Sequence, residues 1–235
     1  MNIRISIVML ALLCILSMLA CSDNGETTDQ TASDSATNIA ESRIDTTVSE
    51  AETDSLVDDG PMIRNADNPI VTLSTNYGDM TLELYHDVAP VHVDSFIART
   101  NEGYYDSTIF HRVWRNFIIQ GGDPLGTGKG NAGYYLKAEF SDLPHVEGTL
   151  SMVRSGDPNS ASSQFFICLA RTAASEGLDG TYTVFGHLLK GYEALHAIGN
   201  VECMTNPANP KENTKPVEDV MIVKAYLSDA EGSPL

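Results

Sequence analysis

The sequence predicts a mainly β fold, in which antiparallel strands form a closed or nearly closed barrel with two helices. Three observations lead to this prediction. Short alternating or β-branched segments recur through residues 69–227, glycine-rich connections separate them, and only two segments have apolar residues at helical spacing. Many strands with few helices favour a barrel over a layered α/β architecture.

The first predicted element is a β-hairpin over residues 69–85. Two alternating segments flank the turn sequence NYGD, which is rich in residues that favour turns. Val71 and Leu73 share one face of the first strand, and Leu82 and Leu84 share one face of the second. The hairpin therefore presents two apolar faces to a common core.

A helix is predicted over residues 89–101, where the apolar spacing changes. Pro90 stands at its start, Val93 and Phe96 recur at helical spacing, and Gly103 follows its end. A second, shorter helix is predicted over residues 192–198. Further strands are predicted over residues 110–120, 149–154, 164–170, 182–188 and 217–227.

The N-terminus has the features of a secretory signal peptide. Arg4 precedes an apolar run over residues 5–19, which is short for a membrane span. The run ends in LSMLAC, and this segment resembles the cleavage box of bacterial lipoproteins. The resemblance implies cleavage before Cys21 and attachment of diacylglyceryl to its thiol. The alternative is an ordinary secretory signal with an incidental cysteine.

Residues 21–66 are predicted to be a lipidated N-terminus and a disordered acidic tether, between the signal peptide at 1–20 and a folded domain at 67–235. Residues 23–60 hold eleven Asp or Glu and one Arg, and their apolar residues are sparse. Such a segment cannot bury enough surface to offset its ordering entropy. Its like charges extend it, so it would hold the domain away from a lipid surface.

Charge and cysteine content exclude several classes of function. The chain has 32 acidic and 14 basic residues, a formal net charge of −18, which argues against nucleic-acid binding. Within the domain, Cys168 and Cys203 can form a disulfide in an oxidising compartment, but we expect free thiols because Cys168 lies in an apolar strand. No clustered thiols or histidines predict a metal site.

Two other segments resemble functional motifs without their context. Residues 128–133 (GKGNAG) have the spacing of a dinucleotide-binding loop, but no helix follows them, so a surface loop is predicted. The serines at 160–163 lack a nucleophile-elbow pattern, so no covalent catalysis is expected.

The least ordinary segment is FHRVWRNFIIQGGDP, at residues 110–124. It places Arg112 and Gln120 in a strand of residues that favour burial, where an unpaired arginine is costly. One interpretation is a structural ion pair with Glu139 or Asp123. The other is an apolar cleft whose single cation faces a ligand.

Three blocks of the sequence resemble the cyclophilin signatures, in that family's order and at similar spacing. They are FHRV, NF and IQGGD at 110–123, LSM and SSQFFI at 150–167, and LDG and VFG at 178–186. The resemblance covers about residues 69–227. It implies a peptidyl-prolyl cis-trans isomerase with a closed eight-stranded antiparallel barrel and two capping helices, and with no cofactor or metal.

The resemblance also implies which residues act on the substrate. An X–Pro bond rotates over a barrier of about 18–20 kcal/mol, and a guanidinium aimed at the imide nitrogen stabilises the twisted state. The implied catalytic residues are Arg112, Phe117 and Gln120. The implied substrate-binding residues are Ile118, Met152, Val153, Arg154, Ser155, Gln164, Phe166, Leu178 and Tyr182, with the backbone of 153–155 pairing with the extended peptide.

Two positions depart from many eukaryotic cyclophilins. Gly177 stands where those members carry a tryptophan whose indole donates to cyclosporin, and Tyr182 stands where they carry a histidine. The isomerase chemistry requires neither the tryptophan nor the histidine. Without the tryptophan, however, the protein lacks an indole N–H that would donate to cyclosporin, so we expect weaker binding of this drug.

We therefore expect a monomeric isomerase of the bacterial cell envelope, attached to a membrane only through lipid. Its partners would be proline-containing segments of exported proteins. The alternative is a cyclophilin-fold peptide-binding chaperone or scaffold with little turnover. A third interpretation, a lipocalin-like barrel for a small apolar ligand, is disfavoured by the GGD and QFF blocks.

Overall fold

The structure is a computed structural model, and it describes residues 65–235. The predicted signal peptide at 1–20, the lipid-attachment site at Cys21 and nearly all of the tether lie outside the described residues. The elements within that range are β1 (Ile70–Thr75), β2 (Gly78–Leu84), α1 (Pro90–Asn101), β3 (Thr108–Ile109), β4 (Arg112–Trp114), β5 (Ile118–Gly121), β6 (Thr149–Met152), β7 (Phe165–Cys168), α2 (Ala173–Glu176), β8 (Val184–Lys190), α3 (Tyr192–Gly199), β9 (Cys203–Asn206), β10 (Asn209–Pro216) and β11 (Met221–Leu227).

The main sheet has nine strands in the order β3-β11-β1-β2-β8-β6-β7-β5-β4, and every pairing in it is antiparallel. The mainly β prediction is confirmed, but the closed eight-stranded barrel is not. The two edge strands pair for only two and three residues, with β11 and β5 respectively. Phe110 and His111 connect these two edge strands along the chain, and Ile109 forms one isolated bridge to Asp123. The sheet is therefore curled, but β3 and β4 do not pair with each other to close it into a barrel.

The predicted first hairpin is confirmed, with Leu73 opposite Met80 and Val71 opposite Leu82. These four side chains are fully buried. They belong to one large core cluster to which the strands of the curled sheet contribute the side chains of their inner faces. Burial of this apolar surface is the main source of the domain's stability.

The helix predicted over 89–101 is confirmed as α1. Its Phe96 is fully buried and packs edge-on against Phe165, with ring centroids 5.4 Å apart. The short helix predicted over 192–198 is confirmed as α3, which buries Leu195 and Ile198. A third helix, α2, is a single turn of four residues that the sequence did not predict.

The single strand predicted over 110–120 is wrong. The chain instead forms two short strands, β4 and β5, that pair as a hairpin with Arg112 opposite Gln120. Asn116 takes a φ of 60° in the turn, and asparagine is one of the few residues that tolerate this left-handed conformation. The reversal brings together two polar side chains that a continuous strand would separate.

A second hairpin, β9–β10, forms a separate two-stranded sheet that the sequence did not predict. Its segment is largely polar and lacks apolar alternation, which is the signal that identifies strands. The predicted strands at 149–154, 164–170, 182–188 and 217–227 are found with shifted ends. Residues 128–133 lie in a loop, as predicted.

Two further observations concern cysteines and membranes. Cys168 and Cys203 are both free, as expected, and Cys168 is fully buried. Within residues 65–235, no helix combines the length and the apolar character needed to cross a bilayer.

Candidate active site

The face of β4, β5 and β7 that points away from the core carries the residues of interest. Cross-strand register places Arg112 opposite Gln120, and Gln120 opposite Phe166. Directly opposed residues of antiparallel strands project to the same face. The alternate residues, such as Val113 and Ile119, enter the main core on the other face. Because side chains alternate along a strand, one face of the sheet carries a row of polar and aromatic side chains, and the opposite face packs into the core.

Arg112 is held on several sides. Its Nε donates to Glu212 Oε2 at 2.9 Å, and its Nη1 donates to Gln120 Oε1 at 3.3 Å. The guanidinium carbon lies 5.0 Å from the centroid of the Trp114 ring, which is a cation–π distance. The side chain is 22% exposed. Within the part of the chain that the structure describes, Nη2 has no hydrogen-bond acceptor, so this nitrogen can donate to a ligand.

A chain of amide groups extends the site along the sheet. Gln120 uses its Oε1 to accept from Arg112 and its Nε2 to donate to Gln164 Oε1 at 3.0 Å. Gln164 in turn donates from Nε2 to the carbonyl of Gly130 at 2.7 Å. These contacts fix which end of each amide faces its neighbour. Gln120 is consequently ordered from both sides, and it presents a fixed acceptor to the guanidinium.

Beside these polar groups lies an apolar cluster that is separate from the main core. Its buried members come from β5 and β7, and partly exposed side chains from loops pack around them. The buried members are Ile118, Phe166 and Cys168, and the surrounding side chains are Phe117, Val153, Leu178 and Tyr182. The cluster provides an apolar surface that is only partly covered.

The floor of this cluster is braced by aromatic and charged contacts. Phe166 stacks on His145 with centroids 5.8 Å apart, and it meets Tyr182 edge-on at the same distance. His145 is fully buried, and its Nδ1 lies 2.9 Å from Asp179 Oδ1. Burial lowers the pKa of His145. Arg171 also donates to Asp179, from Nη2 to Oδ2 at 2.7 Å.

Residues 153–155 border a groove of about 280 Å³ that also reaches Gln164 and Gly130. The Val153 N–H already donates to Gln164 O, and the Ser155 N–H donates to Ser160 Oγ. Arg154 folds over the Tyr182 ring, at 4.5 Å from its centroid. Because these two N–H groups already have acceptors, the predicted pairing with a peptide would have to use other backbone groups of residues 153–155.

The structure brings most of the residues in the predicted set to one place, with one clear exception. Met152 is 1% exposed and belongs to the main core cluster. Alternation along β6 turns its side chain inward, on the same face as Leu150 and opposite to that of Ser151. Its assignment as a side-chain contact for substrate is therefore not supported.

The interpretation of Arg112 as part of an ion pair is correct, but both suggested partners were wrong. Glu139 binds His92, with 2.6 Å between Oε2 and Nδ1. Asp123 accepts backbone N–H groups of the loop that follows it, including that of Gly128 at 2.6 Å. The partner is Glu212 of β10. This residue lies in a predominantly polar segment, and nothing in the sequence pattern there identifies it.

Trp114 was also missed, although a signal existed. It is the only tryptophan in the chain, and it lies two residues from Arg112 in a strand, so the two side chains share a face. It packs edge-on against Phe117, with centroids 5.5 Å apart. Trp114 thereby links the guanidinium to the apolar cluster.

Among residues 65–235, no group of three or more His, Cys, Asp or Glu side chains is placed to hold a metal ion. The available chemistry is a fixed cationic donor next to an apolar surface. Such a site can bind an apolar ring and polarise a neighbouring carbonyl or nitrogen without forming a covalent bond.

Comparison with known proteins gives a consistent answer. The family model for cyclophilin type peptidyl-prolyl cis-trans isomerase/CLD matches residues 70–227. Human peptidyl-prolyl cis-trans isomerase-like 1 is 42% identical over 166 residues, which cover 68% of this chain and 93% of that protein. Isomerase cypE of Dictyostelium discoideum is 43% identical over 161 residues, covering 66% of this chain and 95% of that protein.

Solved structures agree with this comparison. A crystal structure of a cyclophilin type peptidyl-prolyl cis-trans isomerase of Cryptosporidium parvum is 36% identical, with a TM-score of 0.62, and the match covers 69% of this chain and 98% of that one. A second structure of that protein, solved in the presence of the dipeptide Ala-Pro, matches with a TM-score of 0.61 and covers 68% and 99%. The chain belongs to the cyclophilin-type peptidyl-prolyl cis-trans isomerases.

Proposed function

We propose that this isomerase acts by stabilising the twisted X–Pro bond with Arg112. In the planar states the imide nitrogen is conjugated with the carbonyl, and rotation frees its lone pair. A fixed N–H donor aimed at that nitrogen favours the twisted state over both planar states. The observation that carries the proposal is that Arg112, on the sheet face that also carries Gln120 and Phe166, has no acceptor for its Nη2 among the described residues.

The apolar cluster would receive the proline ring. Phe117, Ile118, Phe166, Leu178 and Tyr182 supply the partly covered apolar surface that such a ring fills. The matching Cryptosporidium isomerase was crystallised in the presence of Ala-Pro, which suits a proline-sized occupant here. Burial of the ring would fix the axis about which the bond rotates.

The remaining residues of the site would hold the peptide backbone. Gln120 orders the guanidinium through Nη1, and Gln164 continues the amide chain toward the groove. In the part of the chain that the structure describes, the carbonyls of Val153 and Arg154 accept no hydrogen bond. An extended substrate would pair with those carbonyls, while the Arg154 side chain shapes the edge of the groove.

The Arg112 mechanism is tested by turnover of an Ala-Pro peptide, followed by protease coupling. We expect Arg112→Ala to lower kcat/KM by about 10²- to 10³-fold, the range found when one preorganised donor is removed. Arg115→Ala is the matched control, because Arg115 lies in the same hairpin and donates instead to Asn200 O at 3.1 Å. Equal activity of the Arg112 variant and the wild type would refute the mechanism.

We further propose that the enzyme assists the folding of exported proteins from a lipid anchor in the bacterial cell envelope. The lipoprotein-like box that ends at Cys21 and the acidic segment after it support this location. Proline isomerisation takes tens of seconds without a catalyst, so it limits folding outside the cytosol as well.

The anchor is tested by mass spectrometry of the mature protein from bacterial membranes. We expect a diacylglyceryl-modified Cys21 as the first residue, and release of Cys21→Ser into the soluble fraction. A mature chain with an intact Met1, or with an unmodified thiol at Cys21, would contradict the proposal.

A second candidate function is a peptide-binding chaperone or scaffold with little turnover. The Arg112–Glu212 ion pair favours it, because the carboxylate offsets part of the positive charge of the guanidinium. The same assay separates the two functions. A chaperone would bind Ala-Pro peptides and suppress aggregation while wild-type turnover stays near the uncatalysed rate.

A further inference from the structure

The β9–β10 hairpin places a carboxylate against the proposed catalytic donor. The hairpin forms its own two-stranded sheet, and β10 packs against β4. Glu212 of β10 accepts the Nε–H of Arg112 at 2.9 Å, and its side chain is 17% exposed. The two residues are 100 positions apart in the chain. The contact therefore depends on the folded hairpin.

The backbone of β10 is shaped to aim Glu212 at this point. Asn209 pairs with Asn206 of β9, but the next pair along the ladder is Asn213 with Thr205. Residues 210–212 are therefore looped out of register. Such bulges redirect a side chain, and they occur often beside active sites. A regular ladder would give Glu212 a partner on β9 and a different direction.

The carboxylate is also held by its neighbours. Asn209 Nδ2 donates to Glu212 Oε1 at 2.6 Å, and Thr214 Oγ1 donates to Oε2 at 3.3 Å. Asn206 Nδ2 in turn donates to Thr214 Oγ1 at 3.0 Å. Both carboxylate oxygens thus have a partner within the hairpin. The group is a fixed acceptor, unlike a mobile surface glutamate that meets a cation only transiently.

We propose that Glu212 is a positioning residue for Arg112. The inference rests on the proposed function, in which Arg112 is the donor to the imide nitrogen. Glu212 binds through Nε and Gln120 through Nη1, so the guanidinium plane is fixed at two points, while Nη2 keeps no acceptor among the described residues. A long arginine side chain left free would spend much of its time in other rotamers, at a cost in rate.

A carboxylate also weakens the positive field of the guanidinium. The gain from a fixed orientation must therefore be compared with the loss from a weaker field. The imide carries no net charge in either the planar or the twisted state. The Arg112–Glu212 attraction is therefore nearly the same in both states, and it cancels from the barrier. The bond from the guanidinium to the nitrogen lone pair exists only in the twisted state, so orientation and the weakened field both act there, in opposite directions. Glu212→Gln keeps the acceptor and removes the charge, so it separates the two effects.

The experiment measures kcat and KM for an Ala-Pro peptide with the full chain and a set of variants. We expect Glu212→Ala to lower kcat about tenfold, equivalent to about 1.4 kcal/mol, with KM changed less than about twofold. Glu212→Gln keeps an oxygen that can accept from Nε, and we expect it to stay within about threefold of the wild type. Glu218→Ala removes the same charge from an exposed position six residues further along the chain and should leave kcat unchanged.

A double variant shows whether Glu212 acts through Arg112. If it does, Arg112→Ala combined with Glu212→Ala is no slower than Arg112→Ala alone. The Nε–H signal of Arg112 in ¹⁵N NMR spectra provides a direct readout. We expect it to be protected from exchange in the wild type and in Glu212→Gln, and to broaden in Glu212→Ala.

The outcomes distinguish this inference from the proposed function. A Glu212→Ala variant as fast as the wild type, or faster, while Arg112→Ala is inactive, overturns the positioning role alone. Wild-type activity in Arg112→Ala overturns both. Should Glu212→Ala fail to fold, Asn209→Ala loosens the carboxylate from an exposed position. No loss of kcat in that variant would also overturn the positioning role.

Discussion

Replacing Asp179 by asparagine should remove a defined part of the domain's stability. Asp179 binds two partners that brace the apolar cluster, namely Arg171 Nη2 at 2.7 Å and His145 Nδ1 at 2.9 Å. It also accepts the backbone N–H of His145 at 2.8 Å. Partial burial acts to raise the pKa of Asp179, but the hydrogen bonds from Arg171 and His145 outweigh burial and lower it from 3.8 to about 2.

The lowered pKa sets both the size and the pH range of the effect. A pKa that falls on folding from 3.8 to about 2 corresponds to about 2.4 kcal/mol of stability. The Asp179 side chain is 31% exposed, so solvent screening reduces this figure to roughly 1 kcal/mol. Because the folded-state pKa is the lower one, the stability is fully present above pH 3.8 and is lost as the pH falls toward 2.

The assay is urea unfolding of the full chain and of Asp179→Asn at pH 5, 4, 3 and 2.5. We expect the variant to be less stable by roughly 1 kcal/mol at pH 5, and the difference to shrink steadily below pH 4. Asp142→Asn is the control, because Asp142 is exposed and makes no side-chain hydrogen bond within residues 65–235. A difference that stays constant from pH 5 to 2.5 would show that charge on Asp179 is not its cause.

Three further predictions follow from particular contacts. Asn116→Ala should destabilise the β4–β5 hairpin by about 1 kcal/mol because φ is 60°, whereas Asn116→Gly should not; urea unfolding of both variants checks this. Cys168, whose pKa burial raises to about 12, should resist alkylation at pH 8 while Cys203 reacts, as mass spectrometry of labelled peptides would show; equal labelling would contradict it. Gly177→Trp should raise cyclosporin affinity up to about tenfold, because the indole restores a hydrogen-bond donor. The backbone can accept the side chain, since φ is −66° and the nearest atom to an added Cβ is 3.4 Å away. Inhibition of turnover measures the affinity, and unchanged inhibition would refute the assignment of position 177.

The sequence predicted the elements whose apolar pattern is regular. Strand β1 has Val71 and Leu73 two residues apart, and helix α1 has its apolar residues at helical spacing, so each period was visible. The β4–β5 turn was harder to predict, because Arg115 and Asn116 are only two polar residues between apolar neighbours. The left-handed preference of asparagine was the one available signal. Element boundaries elsewhere shifted by a few residues, since strand ends depend on tertiary pairing.

The site divides in the same way. Motif resemblance identified Arg112, Gln120 and the aromatic residues around Phe166, because these lie in short contiguous blocks. Glu212 could not be found in this way. Its contact with Arg112 spans 100 positions, and it depends on a bulge in a polar hairpin that has no apolar period to predict it. Long-range polar contacts are set by folded geometry, which local pattern does not encode.

The arrangement of the sheet explains why a reaction without covalent steps can be catalysed here. Val113 and Ile119 anchor the backbone of β4 and β5 in the core, at 1% and 0% exposure, so the strands under the site are rigid. That rigidity ends at the Cβ atom of Arg112, because the guanidinium lies beyond several rotatable bonds. Groups outside the core must therefore fix it. Gln120 from the paired strand and Glu212 from the β9–β10 hairpin supply those contacts, and in the proposed mechanism the precision of the donor depends on both.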